Sequence, residues 1–213
     1  MVLREKVYNT IKDRIVKGIY KPGEPLNEKK IIEELNVSRT PFREAINALS
    51  EENLIQIFAN RGIFVREVTA KDISNIFDIR YQLEPYVCRL ACKFMPGDTI
   101  SELKNRLENA LAGNSYQTLL EEDDFFHRCI LKYTDNEELA RIMRNLYEQN
   151  AMQKVVFDTK ENYITRERQD AAILSIEEHL SILKCIENRD EAGAEAATRN
   201  HLQLAGSRTS SYK

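Results

Sequence analysis

The chain has 213 residues, of which 42% are apolar, enough for two small cores or one larger one, and its formal net charge of −3 is by itself no evidence for nucleic-acid binding. No apolar run approaches the roughly 18–20 residues of a membrane span, and Met1-Val2-Leu3-Arg4 begins no signal peptide, so a cytoplasmic protein is expected. The charge is unevenly spread: residues 1–70 hold 12 Lys and Arg against 10 Asp and Glu, while the remainder hold 19 against 24, so the basic excess lies in the N-terminal third.

From Leu3 to Gly18, apolar residues at Val7, Ile11 and Ile15, with Tyr8 on the flank, have the spacing of an amphipathic helix that stops at the glycine. Tyr20-Lys21-Pro22-Gly23 then turns the chain. Asn27 can cap a second helix carrying Lys29, Ile31, Ile32 and Leu35. At Leu35-Asn36-Val37 a tight turn is expected, because Asn36 tolerates the left-handed backbone that most residues avoid. A third helix should follow, with Ser38 or Thr40 as cap, Pro41 in its first turn, and Ala45, Ile46, Leu49 and Leu54 facing inward. Its outward face carries Arg39, Thr40 and Arg43. Guanidinium groups can bond guanine bidentately and N–H groups at a helix start can hold a phosphate, so this is read as a DNA-recognition helix. The bland alternative is a solvated helix face. After Leu54, the sequence QIFANRGIFVREV reads as two β-rich runs split by Asn60-Arg61-Gly62, a hairpin wing with Arg61 at its tip.

Thr69 is the cap candidate of a long helix reaching Arg89, with Ile73, Ile76, Phe77, Arg80 and Leu83 on one face. Helical patterns follow at about 99–112, 116–133, 136–156, 165–187 and 190–205, so the second part reads as a bundle of about six helices without strands. The fold class expected is mainly α, a winged helix-turn-helix of three helices and a hairpin over residues 1–68 followed by an all-helical domain over 69–213. The tail from Gly206 is polar and expected to fray. Cys88, Cys92, Cys129 and Cys185 sit at apolar-face spacings without a CxxC pair, the pattern of buried free thiols rather than of a redox or soft-metal site.

The chain has three histidines, His127, His179 and His201, each on an inward stripe, and Asp123 shares a face with His127 one turn on. Singly, each would read as an ordinary core histidine. Together, three inward imidazoles and a carboxylate need partners, and a shared cation satisfies all four. Such a donor set suits Zn²⁺ first, with Ni²⁺, Fe²⁺ or Mn²⁺ as alternatives.

The segments KPGEPLNEKKIIEELNVSRTPFREAINALSEENLI and NRGIFV make residues 4–66 resemble the winged helix-turn-helix of the GntR superfamily of bacterial repressors. Through DIRYQLEPYVCRLA, DDFFHRCI and EEHLSILKCIENRDEAGAEAATRNHL, residues 69–205 resemble the helical FCD effector domain of its FadR branch, and the helix number resembles the VanR-type subgroup. The resemblance implies DNA contacts by Arg39, Arg43, Arg61 and Gly62, with Lys29 where a relative has arginine; Ser38 and Thr40 complete the candidate DNA-binding set. It implies the same Asp123, His127, His179 and His201 metal set. Arg80 matches a pocket-lining arginine, and would clamp the far end of a small carboxylate effector; the alternative is an Arg80–Glu84 surface pair.

The function expected is a homodimeric, ligand-responsive transcriptional regulator, a repressor acting on a palindromic double-stranded operator, with no catalytic residues. A metalloenzyme or a structural-metal domain fused to a DNA-binding module is the alternative. Glu122 and Asp124 flank Asp123 but should point away from it, which leaves an enzyme without a general base.

Overall fold

The structure, a computed structural model, describes residues 3–160 and 165–210. The chain divides into two compact units, Met1–Ile73 with Glu148–Glu161 and Ser74–Tyr147 with Asn162–Lys213.

The first unit begins with α1 (Leu3–Val16), whose buried Val7, Ile11 and Ile15 recur at the four-residue spacing that keeps side chains on one helix face. Strand β1 (Pro25–Leu26) precedes α2 (Glu28–Leu35) and α3 (Arg39–Glu51), and α3 packs along α1 through Phe42, Ala45, Ile46 and Leu49. Asn27 caps α2 by accepting from the Lys30 N–H at 3.0 Å. Asn36 ends it in the left-handed region at φ 51°, which gives the tight turn between the two helices. Ser38 is the N-cap of α3 by its extended backbone, but its hydroxyl makes no cap hydrogen bond, and Thr40 lies inside the helix. The hairpin is β2 (Ile55–Phe58) with β3 (Gly62–Val65), paired antiparallel from Ile55↔Val65 to Phe58↔Gly62. Gly62 sits at φ 105°, a conformation that a side chain would strain, and Asn60 at φ 62° helps the turn close. The sheet has a third strand that the sequence reading did not anticipate. Leu26 and Pro25 pair with Ile63 and Phe64, giving the order β1-β3-β2, and proline is tolerated because it starts an edge strand.

Helix α4 (Ala70–Phe94) starts at a reciprocal cap: Thr69 Oγ1 accepts from the Asp72 N–H at 3.1 Å, and the Asp72 carboxylate accepts from the Thr69 N–H at 2.9 Å. It runs on past the expected Arg89 despite Pro85 in its interior. Proline removes the N–H that would meet the Tyr81 carbonyl, and the Arg199 guanidinium donates to that oxygen instead, at 3.1 Å. The chain continues with α5 (Gly97–Gly113), α6 (Tyr116–Leu131), α7 (Glu137–Lys160), α8 (Arg166–Glu187) and α9 (Glu191–Ser210), all in the second unit except the part of α7 from Glu148 onward, which belongs to the first. Among the described residues, six helices, α4 to α9, agree with the number read from the sequence. Helix α8 packs against α5, α6 and α9, around Leu103, Leu107, Leu119, Phe126, Met143, Ile176, Ile182 and Ile186. All four cysteines are free; Cys88, Cys92 and Cys129 are buried and Cys185 is half-buried. Burial pushes the Cys92 thiol up to about 11 and the Cys88 thiol higher still, so neither is a ready nucleophile. The tail departs from expectation: α9 stays helical to Ser210, and residues 211–213 lie outside the described residues.

Candidate functional site

The residues proposed for DNA contact form an exposed set in the first unit. Lys29 on α2, Ser38, Arg39, Thr40 and Arg43 at the start of α3, and Arg61 with Gly62 at the wing tip are all exposed. The Arg39 side chain is 81% exposed, its guanidinium 3.9 Å from the Glu28 carboxylate, a loose pair in water that costs little to break. Arg61 lies over the Phe58 ring at 5.7 Å. On the opposite face of α3, Phe42, Ala45, Ile46 and Leu49 are buried, so the helix offers one charged face and fixes the other in the core.

Inside the second unit, the packing of α6, α8 and α9 brings the three histidines together. His127, His179 and His201 are buried, and one ring nitrogen from each lies within 4.8 Å of the others. The His179 ring centroid is 4.7 Å from that of His127 and 4.6 Å from that of His201, and it stacks on Phe126 at 4.1 Å. Asp123 is buried one helical turn before His127. Its Oδ1 is 3.8 Å from His179 Nε2 and accepts from Ser175 Oγ at 2.8 Å. Asp123 thus borders the histidine cluster and is held by α8. As helical phase required, its neighbours point elsewhere: Glu122 pairs with Arg106 at 2.7 Å and Asp124 with Arg128 at 2.6 Å.

Two of the imidazoles share a pattern of support. His127 Nδ1 lies 3.0 Å from Glu84 Oε1, and Glu84 accepts from Arg80 Nε at 2.8 Å. His201 Nδ1 lies 2.7 Å from Glu178 Oε2, and both Glu178 oxygens accept from Arg208 at 2.7 and 2.8 Å. Burial alone would raise these carboxyls, but the cations outweigh it. Arg80 and His127 hold Glu84 well below the usual carboxylate range, and Arg208 with His201 holds Glu178 at about 2. An ionised carboxylate only accepts, so in both pairs the histidine Nδ1 donates and Nε2 is the nitrogen left over. His179 differs. Both its ring nitrogens are buried without a hydrogen-bond partner. Burial, followed by the neighbouring His201 and His127, pushes its protonation well below the ordinary histidine value, and burial does the same to His201 despite Glu178.

The Arg80–Glu84 pair read as a surface alternative forms, but it is buried: Arg80 is 3% exposed and Glu84 2%. Arg80 also lies 5.0 Å from the Phe77 ring and 5.5 Å from that of Tyr147, which itself packs 4.9 Å from His127. Sequence reasoning missed Glu84, Glu178, Ser175, Tyr147 and Arg208 as parts of this cluster. Glu84 was visible only as a helix neighbour of Arg80. Glu178, adjacent to His179 in sequence, should face away from it; the packing of α9 turns that other face into a second support for the cluster.

An FCD domain model matches residues 75–204, and a model of bacterial regulatory proteins of the gntR family matches residues 3–65. The Nta operon transcriptional regulator of Aminobacter aminovorans is 32% identical over 186 residues, 86% of this chain and 83% of that protein. The HTH-type transcriptional repressor RspR of Escherichia coli K12 is 28% identical over 204 residues, 94% of this chain and 86% of that one. The structure of E. coli McbR/YncC has a similar fold, with a TM-score of 0.81 and 21% identity over 99% of this chain and 98% of that one. Among the described residues, no helix is long and apolar enough to cross a membrane. With its winged helix-turn-helix followed by an FCD domain, the chain belongs to the GntR family of bacterial regulatory proteins, and it is a ligand-responsive DNA-binding transcriptional regulator rather than an enzyme.

Proposed function

We propose that this regulator is a metal-containing homodimeric repressor of the FadR branch that senses a small organic acid in the cytoplasm. Residues 1–68 read a palindromic operator and residues 69–213 hold the effector and the dimer contact. The observation that carries the metal reading is the His127, His179 and His201 cluster, with both nitrogens of His179 buried and unpartnered. A buried polar atom without a partner costs on the order of 1–3 kcal/mol, and two on one ring are hard to retain unless something binds there. Neutral imidazoles beside an ionisable carboxylate fit a divalent transition metal, Zn²⁺ first and Ni²⁺, Fe²⁺ or Mn²⁺ as alternatives. Asp123, His127, His179 and His201 would hold it. Such an ion, when bound, supplies a Lewis-acid site for a carboxylate.

The chain's own residues do the rest. Arg80 spends Nε and Nη2 on Glu84, and its guanidinium is fixed between Phe77 and Tyr147 to receive the far end of a dicarboxylate or hydroxy acid. Arg39, Thr40 and Arg43 read the major groove, with Ser38 and Lys29 at its phosphates and Arg61-Gly62 on the flanking backbone. The test uses the intact chain and a duplex selected from a random library with it. Small di- and hydroxy-carboxylates are expected to release this duplex from the Zn²⁺-loaded protein, but not from chelator-treated or Arg80→Ala protein. Release that is indifferent to both changes would leave the metal a structural element and remove Arg80 from effector capture.

A further inference from the structure

We propose that Glu178 and Arg208 are positioning residues for His201, a relay by which the last turns of α9 set how tightly the histidine cluster holds its metal. This rests on the metal reading above and adds residues to it. The geometry has three steps. Arg208 meets both oxygens of Glu178 in a forked pair at 2.7 and 2.8 Å, which fixes the plane of the carboxylate as a single hydrogen bond would not. The fixed Oε2 then accepts a hydrogen bond from His201 Nδ1–H at 2.7 Å, which sets the ring's rotation and its tautomer. His201, 2% exposed, is left with Nε2 as its donor nitrogen.

The same construction recurs on the other side of the cluster, where Arg80, Glu84 and His127 are joined in the same order. Two imidazoles on different helices held through Nδ1 by an arginine-bound glutamate form an arrangement that fixes the direction of donor atoms. For packing alone, apolar side chains of similar volume would serve as well. It also explains why α9 continues past Gly206: the polar tail carries the arginine that closes the relay, and Arg208 lies seven residues, two helical turns, beyond His201.

The experiment measures Zn²⁺ affinity of the full chain by competition with a chromophoric chelator at fixed pH, for the parent and for Glu178→Ala, Glu178→Gln, Arg208→Ala and Arg208→Lys. Glu178→Ala is expected to weaken Zn²⁺ roughly 10–100-fold, and Arg208→Ala to weaken it less, with partial recovery in Arg208→Lys. Glu178→Gln keeps the volume and an accepting oxygen but loses the charge, so it should fall between parent and alanine; a packing role alone would leave it at the parent's affinity. In the metal-free parent, histidine ¹⁵N shifts should show His201 protonated on Nδ1, and Glu178→Ala should lose that preference. If Glu178→Ala fails to fold, the other three variants decide. Parent-like affinity in Glu178→Gln and Arg208→Ala, or a parent His201 protonated on Nε2, overturns the relay alone. A parent that binds no Zn²⁺ overturns the metal reading and the relay with it.

Discussion

His179 shows at the scale of one residue how environment decides chemistry. Its ring is wholly buried, stacked on Phe126 and flanked by two other imidazoles, so its charged form is strongly disfavoured. His201 is likewise held below the ordinary value of 6.5 by burial, although Glu178 opposes this. The sign of the pH effect follows. In the metal-free chain the unfolded state takes up protons at both positions as pH falls through about 6.5, and the folded state does not until lower pH, so folding stability declines. Glu178, held at about 2, adds a loss of the same sign only below the ordinary carboxylate value of 4.5. The thermal midpoint of metal-free protein should therefore fall between pH 7.5 and 5.5; a rising midpoint would contradict the buried neutral imidazoles. The DNA face makes its own prediction. Arg39→Ala should weaken binding to a selected operator by about 1–3 kcal/mol and relax one base position per half-site, while leaving the fold intact because the side chain is 81% exposed. Unchanged operator affinity at fixed salt would remove Arg39 from base readout. The histidines and Asp123 were legible as a group because helical phase alone turns them inward. Their carboxylate supports were not, since Glu178 and Arg208 acquire their roles only when α8 and α9 lie side by side.

Among the elements, the helix-turn-helix was the most legible, because its ends are written in local chemistry. Asn27 caps α2 and Asn36 closes it, the second in a left-handed conformation that asparagine tolerates and β-branched residues do not. Asn27→Ala should cost about 1 kcal/mol of stability, and Asn36→Val more than Asn36→Gly, which keeps the conformation. Equal midpoints for Asn36→Val and Asn36→Gly in chemical denaturation would refute the strained turn. Where an element depends on a distant partner, the sequence was silent. Strand β1 has only two residues, Pro25 and Leu26, and exists because β3 offers an edge. Pro85 sits inside α4 at a place where sequence rules allow a break, and the helix survives because Arg199, far along the chain, meets the Tyr81 carbonyl. The end of α9 was misread for the same reason: polarity predicts fraying for Gly206 onward, but the Arg208–Glu178 pair ties it down.

For the molecule as a whole, two patterns in the expected order made the architecture readable, since a period of 3.6 repeated over six long helices leaves little room for another fold class. Family membership rests on both halves, and the relatives are regulators. What the chain adds is a buried cluster of histidines whose supports are already in place. A cation held by the folded second unit alone would stabilise the native state by an amount that grows with free metal concentration. The most direct test is elemental analysis of the full chain purified from metal-replete medium, read together with its thermal midpoint against free Zn²⁺. The account predicts one divalent ion per chain and a midpoint that climbs with Zn²⁺, both lost in His179→Ala. A parent protein that carries no ion and whose midpoint ignores added Zn²⁺ would contradict it.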